Sequence, residues 1–502
     1  MKKLAGYILL ATAGLSACNK KLDQKPISLV TTETFYTLQN DFVQGVNAAY
    51  NALIPYPDRQ LNLSETRSDN LYAVSDGGVR DWDPINGFYK SIANNTYVTE
   101  AWGGNYAGIY RANLVLDQLD KRGTIVTDTT LRKRLKAEAR FIRAFCYFDL
   151  VRWFGKVPLI DKPLATTDEA LAIGRSSVSD VYNFIISDLK FAADSLPATY
   201  TAAADKGRAT KYAAKGILAL AYMTRSAPTY DINGPGLNSN EWAQALSLWN
   251  EIITSGNYSF LTTYPAIFSY TNEYNGEVVF DIEAVSGLTP VAGSSFPWVL
   301  VPDNYITAAG KTAQGGLTIR PVSTDLLNSY ETGDTRKAFS IQTGYTSNGV
   351  TEPRSFFKKY LDMTKYPTSN NAKDWPINFI VLRYTDVLML KAECILHGAT
   401  PGTQTDVDGI VNQVRGRAGL GTITGVTLAR LFEERRKEFA AEGTRWHDLV
   451  RSGTIDTKIA AWITAEDVQH AIQPFQKNYI IYPVPQSELD VKPGLYDQNP
   501  GY

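Results

Sequence analysis

Apolar residues recur every three to four positions along much of the first half of the chain, the spacing of helices with one buried face. Phe35, Leu38, Phe42, Val46, Ala49 and Leu53 carry this period over 32–53, and it returns over 101–120 and 129–154. The run "FGKVPL" (154–159) ends the last of these, with Gly155 at the C-terminal cap and Pro158 beyond it. Ser177 is placed to cap a helix over 177–195, and further helices are predicted over 209–225 and 240–255. The segment 55–95 breaks the pattern with Pro55, Pro57, Gly77, Gly78 and Pro84. From 257 to 375 helical periodicity largely disappears and Gly, Pro, Thr, Tyr and Asn dominate, which predicts loops and short strands such as "EVVFDIE" (277–283). Helices resume over 383–397, 406–417 and 427–450. The expected fold is therefore mainly α, with an irregular region carried on helices. Small residues in "KYAAKGILALAYM" (211–223) suit close helix crossings, either in stacked tetratricopeptide-like pairs or in a well-packed bundle.

The N-terminus reads as a processing segment. Lys2 and Lys3 precede the apolar run "LAGYILLATA" (4–13), which is too short to remain as a membrane-spanning helix. Leu15, Ser16 and Ala17 then lead into Cys18, an ending similar to the bacterial lipobox, in which the cysteine is acylated and becomes the first mature residue. On this reading 1–17 is a signal peptide and 18–31 a lipid-anchored tether. A multiply acylated terminus is a stable anchor, at about 0.8 kcal/mol per buried methylene.

Composition narrows the function by exclusion. The chain has 44% hydrophobic and 20% charged residues and a net charge of −1, which becomes −3 once Lys2 and Lys3 are removed with the signal peptide. Nucleic acid is not an expected partner. Cys146 and Cys394 lie in apolar helical patterns and are expected to be buried free thiols. The three histidines, His397, His447 and His470, have no zinc-site spacing, and no nucleophile elbow, Walker loop or dinucleotide-binding loop is present. No cofactor or metal is expected. Two carboxylates suffice for a glycosidase, so an exported hydrolase stays open on composition alone. The basic stretches 134–154 and 432–449 are read as solvated, salt-bridged scaffold helices.

The blocks "EARFIRAFCYFDLVRWFGKVPL", "GRATKYAAKGILALAYM", "RYTDVLMLKAECI", "NQVRGRAGL", "RRKEFAAEGTRWHDLVRSG" and "YPVPQSEL…QNPGY", in this order and behind "TTETFYT", closely resemble the SusD/RagB family of Bacteroidetes-type outer-membrane lipoproteins. The resemblance covers nearly the whole mature chain. It implies a non-catalytic binding protein in which tetratricopeptide-like helix pairs form a scaffold (32–256) and the remainder (257–502) holds the irregular ligand-binding part (257–375) and C-terminal helices. It also implies capture of an oligosaccharide or polysaccharide, or in some members a peptide, and delivery to a SusC-like TonB-dependent transporter. A purely gating lid is the other possibility within that resemblance.

Sugar rings pack an apolar face on Trp or Tyr and offer hydroxyls to amide, carboxylate and guanidinium groups. In the family the site draws on the loop after the first helix and on the mid-chain irregular region. Here these offer Asp69, Asn70, Arg80, Trp82 and Asp83, and Trp298, Asn304 and Tyr305. The ligand-binding candidates are Asp69, Asn70, Arg80, Trp82, Trp298 and Tyr305. Trp82 and Trp298 fit either a stacking platform or a packed loop anchor, whereas Trp102, Trp153 and Trp446 sit on helical patterns as scaffold.

Overall fold

The computed structural model describes residues 32–74, 80–313, 315–369 and 371–502. The expected signal peptide and tether, with Cys18, lie outside the described residues. Twelve helices carry most of the architecture: α1 (Gln39–Asn51), α2 (Tyr56–Gln60), α3 (Thr96–Arg122), α4 (Thr129–Phe154), α5 (Val178–Ser195), α6 (Lys211–Arg225), α7 (Trp242–Thr254), α8 (Tyr384–Leu396), α9 (Gln404–Arg417), α10 (Leu428–Glu438), α11 (Arg445–Arg451) and α12 (Ile455–Glu466). Among the described residues, strands form three two-stranded antiparallel ladders: β1 (Val157–Pro158) with β2 (Arg175–Ser176), β3 (Val278–Ile282) with β6 (Phe379–Arg383), and β4 (Ile341–Ser347) with β5 (Val350–Phe357).

Helix starts follow side-chain chemistry. Asp128 accepts from the amides of Thr130 and Leu131 at 2.8 and 3.1 Å, Ser177 from Asp180, and Thr210 from Ala213. Each such cap contributes about 1 kcal/mol by satisfying amides the helix leaves open. The helices then pack serially: α3 on α4, α4 on α5, α5 on α6, α6 on α7, α7 on α8 and α8 on α9. Small residues set the closest crossings. A Cβ on Gly108 would sit 2.7 Å from Cys146 Sγ, and one on Gly216 would sit 2.3 Å from Leu382 Cδ2. Cys146 and Cys394 are both buried free thiols. One apolar core runs from α1 through α3–α8 to β3, β6 and the C-terminal Tyr482 and Val484, and Val407, Val411 and Val414 of α9 join a separate cluster with Met389 and Leu431.

Gly155 terminates α4 at φ 66° and ψ −109°, a conformation suited only to glycine, and a Cβ there would lie 1.7 Å from the Asn233 carbonyl. The chain can thus turn from the end of α4 directly beneath the 227–238 loop.

Three expectations are corrected. The helix predicted over 427–450 is two helices, α10 and α11, because Ala441 and Gly443 take φ of +64° and +72° and break the helical hydrogen-bond ladder. The freed amides of Ala441 and Gly443 donate to the Glu65 carboxylate at 3.0 and 3.1 Å. A further helix, α12, buries Ile455, Ile459 and Trp462 at helical spacing where none was predicted. Both basic stretches are salt-bridged, but 432–449 is largely buried rather than solvated, and 134–154 keeps only Arg134, Lys136, Arg140 and Arg152 partly exposed. Glu434, Arg435, Arg436, Lys437 and Glu438 are all buried, and Arg143 and Arg152 pair with buried Asp188 and Asp149.

That burial produces an ion network at the heart of the C-terminal half. Glu438 accepts from Arg336 at 3.1 Å, Arg383 at 2.9 Å and Arg417 at 2.6 Å, all four side chains being essentially inaccessible. Burial disfavours the Glu438 carboxylate, but the three guanidiniums outweigh it and hold the group well below the usual range. Arg435 and Arg451 share Asp448, and reach on to Asp386 and Glu393.

Candidate functional site

The loop after the first helix is held from inside. A π-helical turn, Leu61–Glu65, continues α2 and directs Glu65 inward, where it also accepts from Asn70 Nδ2 at 2.8 Å. Asp69 receives both arms of Arg445 at 2.7 Å, with Arg436 at 3.4 Å. Burial opposes ionisation of Asp69, but the two arginines prevail and keep it ionised far below the ordinary range. Asn70 Oδ1 accepts from Arg436 Nε at 2.8 Å. Asp69 and Asn70 are thus buried and turned into the scaffold, where they fix the loop to α10 and α11.

The same anchoring joins the two regions predicted to form the site. Tyr72 N donates to Pro321 O, Ser323 N donates to Asn70 O, and Leu71 bridges Val322. Asp58 of α2 accepts a hydrogen bond from the Ser295 hydroxyl, next to the one-turn helix 296–299 that carries Trp298. Burial raises the Asp58 carboxyl to about 6.

Trp82 is 4% exposed, with the Arg320 guanidinium 4.2 Å over its ring and Arg80 at 6.0 Å. Arg320 is held by Asn62 Oδ1 at 2.8 Å and Thr66 Oγ1 at 3.1 Å. Its own pKa is depressed, chiefly by burial. Trp298 is 7% exposed; its Nε1 donates to Asp303 at 2.8 Å and the Lys373 ammonium lies 5.7 Å from its ring. Tyr305 is half-buried, edge-on to Phe356 at 5.1 Å and Tyr345 at 5.6 Å. Arg80 is half-buried, and Asp81, Glu100, Asn304 and Lys373 are exposed. Trp82 and Trp298 are thus packed within their loops, and the mixed charges and amides nearer the surface are groups that can hydrogen-bond hydroxyl-rich ligands.

Sequence reasoning missed Asp58, Tyr97, Glu100, Arg320 and Lys373. Tyr97 and Glu100 lie in the first turns of α3, four residues and one residue before the predicted start of that helix, and a capping Asn95 was the signal available. Nothing local distinguishes Arg320, which reaches Asn62 across 258 residues of chain.

A separate carboxyl group pair lies on β3 and just beyond it. Asp281 and Glu283 are two residues apart, so both face one side, and the Asn378 amide donates to both, at 3.2 and 3.1 Å. Glu273 and Tyr274 adjoin them, Lys206 lies over the Tyr274 ring, and among the described residues no cation pairs with either carboxyl. Burial first, then the neighbouring Glu283, pushes Asp281 well above its ordinary 3.8. A folded state that prefers the protonated acid is stabilised below that value and loses the contribution as pH rises toward the folded pKa. Asp281→Asn cannot ionise, so its melting temperature is expected to exceed that of the parent by a margin that widens from pH 4 to pH 8. Thermal melts across that range, with equal margins at both ends, would contradict this.

Comparisons with known proteins identify what the chain and its fold are similar to. A family profile described as "Starch-binding associating with outer membrane" (SusD-like) matches residues 21–223, and one described as "SusD family" matches residues 293–502. SusD-like protein P25 of Formosa agariphila is 26% identical, the alignment covering 99% of this chain and 98% of that protein. A solved laminarin-binding SusD-like protein is 26% identical with a TM-score of 0.73, over 93% of this chain and all of the other. Surface glycan-binding protein A of Bacteroides thetaiotaomicron, solved with laminarihexaose, shares the fold at a TM-score of 0.77 and 24% identity, over 93% of this chain and all of that one.

Proposed function

Since the chain belongs to the SusD/RagB family of outer-membrane-associated, non-catalytic binding proteins, we propose that it captures oligosaccharides at the cell surface and passes them to a SusC-like TonB-dependent transporter. The observation that supports this best is the likeness, over 93% of the chain, to a SusD-like protein that binds laminarin. The joined loop regions supply suitable chemistry. In this reading Arg80 and Tyr305 reach the ligand from the rim, Trp82 and Trp298 stand behind them as fixed walls, and Asp69 and Asn70 hold the loop in place.

A glycan array that includes laminarihexaose tests the substrate class. Retention of at least one glycan, unchanged after incubation, is expected; retention of peptides alone, or new reducing ends, would overturn the reading. The transporter is tested by co-purification from the outer membrane.

Cys18 is the proposed lipid attachment point. Cys18→Ser is expected to release the protein from the membrane fraction and to abolish labelling by a palmitate analogue. Continued labelling of that variant would refute the assignment.

A further inference from the structure

A cavity of about 380 Å³ lies between α3, the 158–173 segment and the C-terminal 488–496 segment. Helical geometry separates it from the loops described above. At about 100° per residue, Tyr97, Glu100 and Gly104 share one side of α3, whereas Trp102, Tyr106 and Ile109 lie roughly opposite. The first side meets Arg320 and Arg59; the second lines the cavity.

Its walls are aromatic and already fixed. Tyr106 donates its hydroxyl to Pro158 O at 2.8 Å, and Trp102 packs edge-to-face on Phe154 at 5.0 Å. Tyr496 approaches Trp102 at 6.5 Å, and Tyr110 stands at the rim with 54% of its surface exposed. Gly103 keeps the lining open, since a Cβ there would meet nothing within 4 Å. Two charged groups enter this otherwise apolar space: Lys162 and Glu488. Burial raises the Glu488 carboxyl, while a hydrogen bond involving Trp102 acts in the opposite sense.

This combination selects among occupants. A hydrocarbon chain would leave the half-buried Glu488 carboxyl facing apolar atoms, whereas the exposed Lys162 ammonium stands at the mouth and can turn to water. A pyranose matches both features, because its C–H face packs on tyrosine and indole while its hydroxyls hydrogen-bond to the carboxyl and ammonium. The volume falls within the roughly 300–1,000 Å³ of small-molecule sites and suits one or two sugar rings rather than a long chain. Because the walls are held before any ligand arrives, little ordering cost opposes binding.

We infer that this cavity is a second saccharide site, which takes a pyranose end or side branch on the face of α3 opposite the loop site. The inference rests on the glycan-binding reading, and the test separates the two. Saturation-transfer NMR would be recorded on the full mature chain with the methyl pyranosides of glucose, galactose, mannose and xylose, and with 4-methylphenol as an apolar probe. In the Arg80→Ala background, where the loop site is weakened, at least one pyranoside is expected to show transfer that falls tenfold or more when Tyr110→Ala/Tyr496→Ala or Glu488→Gln is added, with melting temperatures near that of Arg80→Ala alone. In that background, absence of pyranoside transfer, transfer only to 4-methylphenol, or persistence after the Tyr110→Ala/Tyr496→Ala pair is added would each overturn the second site. If the array nevertheless retains glycans, only the second site fails; if nothing binds in either experiment, the glycan-binding reading fails with it.

Discussion

Glu438→Gln is expected to destabilise the protein by roughly 3–5 kcal/mol, the range for removing one partner from a buried ion pair. The side chain keeps its shape, so packing is not the cause. What disappears is the charge between Arg336, Arg383 and Arg417, none of which can reach water to compensate. Each retains another acid, Asp334 for Arg336, Glu442 for Arg383 and Glu277 for Arg417, which keeps the loss from being larger. The pH dependence distinguishes this from a packing defect. The Glu438 carboxyl is depressed below its ordinary 4.5, so its contribution is fully present above that value and is lost as pH falls toward the folded pKa. The stability gap between parent and variant should therefore narrow from pH 7 to pH 3. Urea midpoints showing a constant gap, or a change under about 1 kcal/mol, would contradict the role assigned to the network.

Arg80→Ala is expected to weaken glycan binding by tenfold to a hundredfold, since hydrogen bonds from a charged donor contribute about 1.5–3 kcal/mol. Tyr305→Ala is expected to act in the same direction by losing ring contact. Neither should move the melting temperature much, because both side chains are only half-buried. Asp69→Asn makes an instructive contrast. It leaves Arg445 without its carboxylate partner inside the protein, while Arg436 keeps Asp325, so its effect should appear first as lost stability and only then as lost binding. Calorimetric titration of the three variants with a glycan retained on the array, alongside thermal melts, checks the set. Unchanged affinity in Arg80→Ala and Tyr305→Ala would remove the loop rim from the ligand site.

The helical scaffold was legible because its information is local. Apolar spacing set α4, α5 and α7 nearly to the residue, and Ser177 and Gly155 marked their ends through chemistry confined to one turn. Legibility failed where backbone conformation depended on a distant partner. The α10–α11 break follows from Glu65, which receives the Ala441 and Gly443 amides from more than 370 residues away in sequence. The charged run of α10 looked solvated because its neutralising partners, Arg336, Arg383 and Arg417, lie on other elements.

The candidate site divides along the same line. Composition selected two loops rich in aromatic and polar residues, but alternating roles within one loop are invisible to composition. Asp69 and Asn70 face Arg445 and Arg436, while Arg80 lies nearer the surface. The sequence by itself determined a mainly helical body, its family and the loops to inspect, since local spacing and ordered motifs suffice for these. Only the tertiary structure decided which charged residues are spent inside, which stand at the rim, and that α3 presents an aromatic cavity on its far side. Burial and charge balance are properties of what surrounds a residue, and those surroundings are assembled from positions hundreds of residues apart.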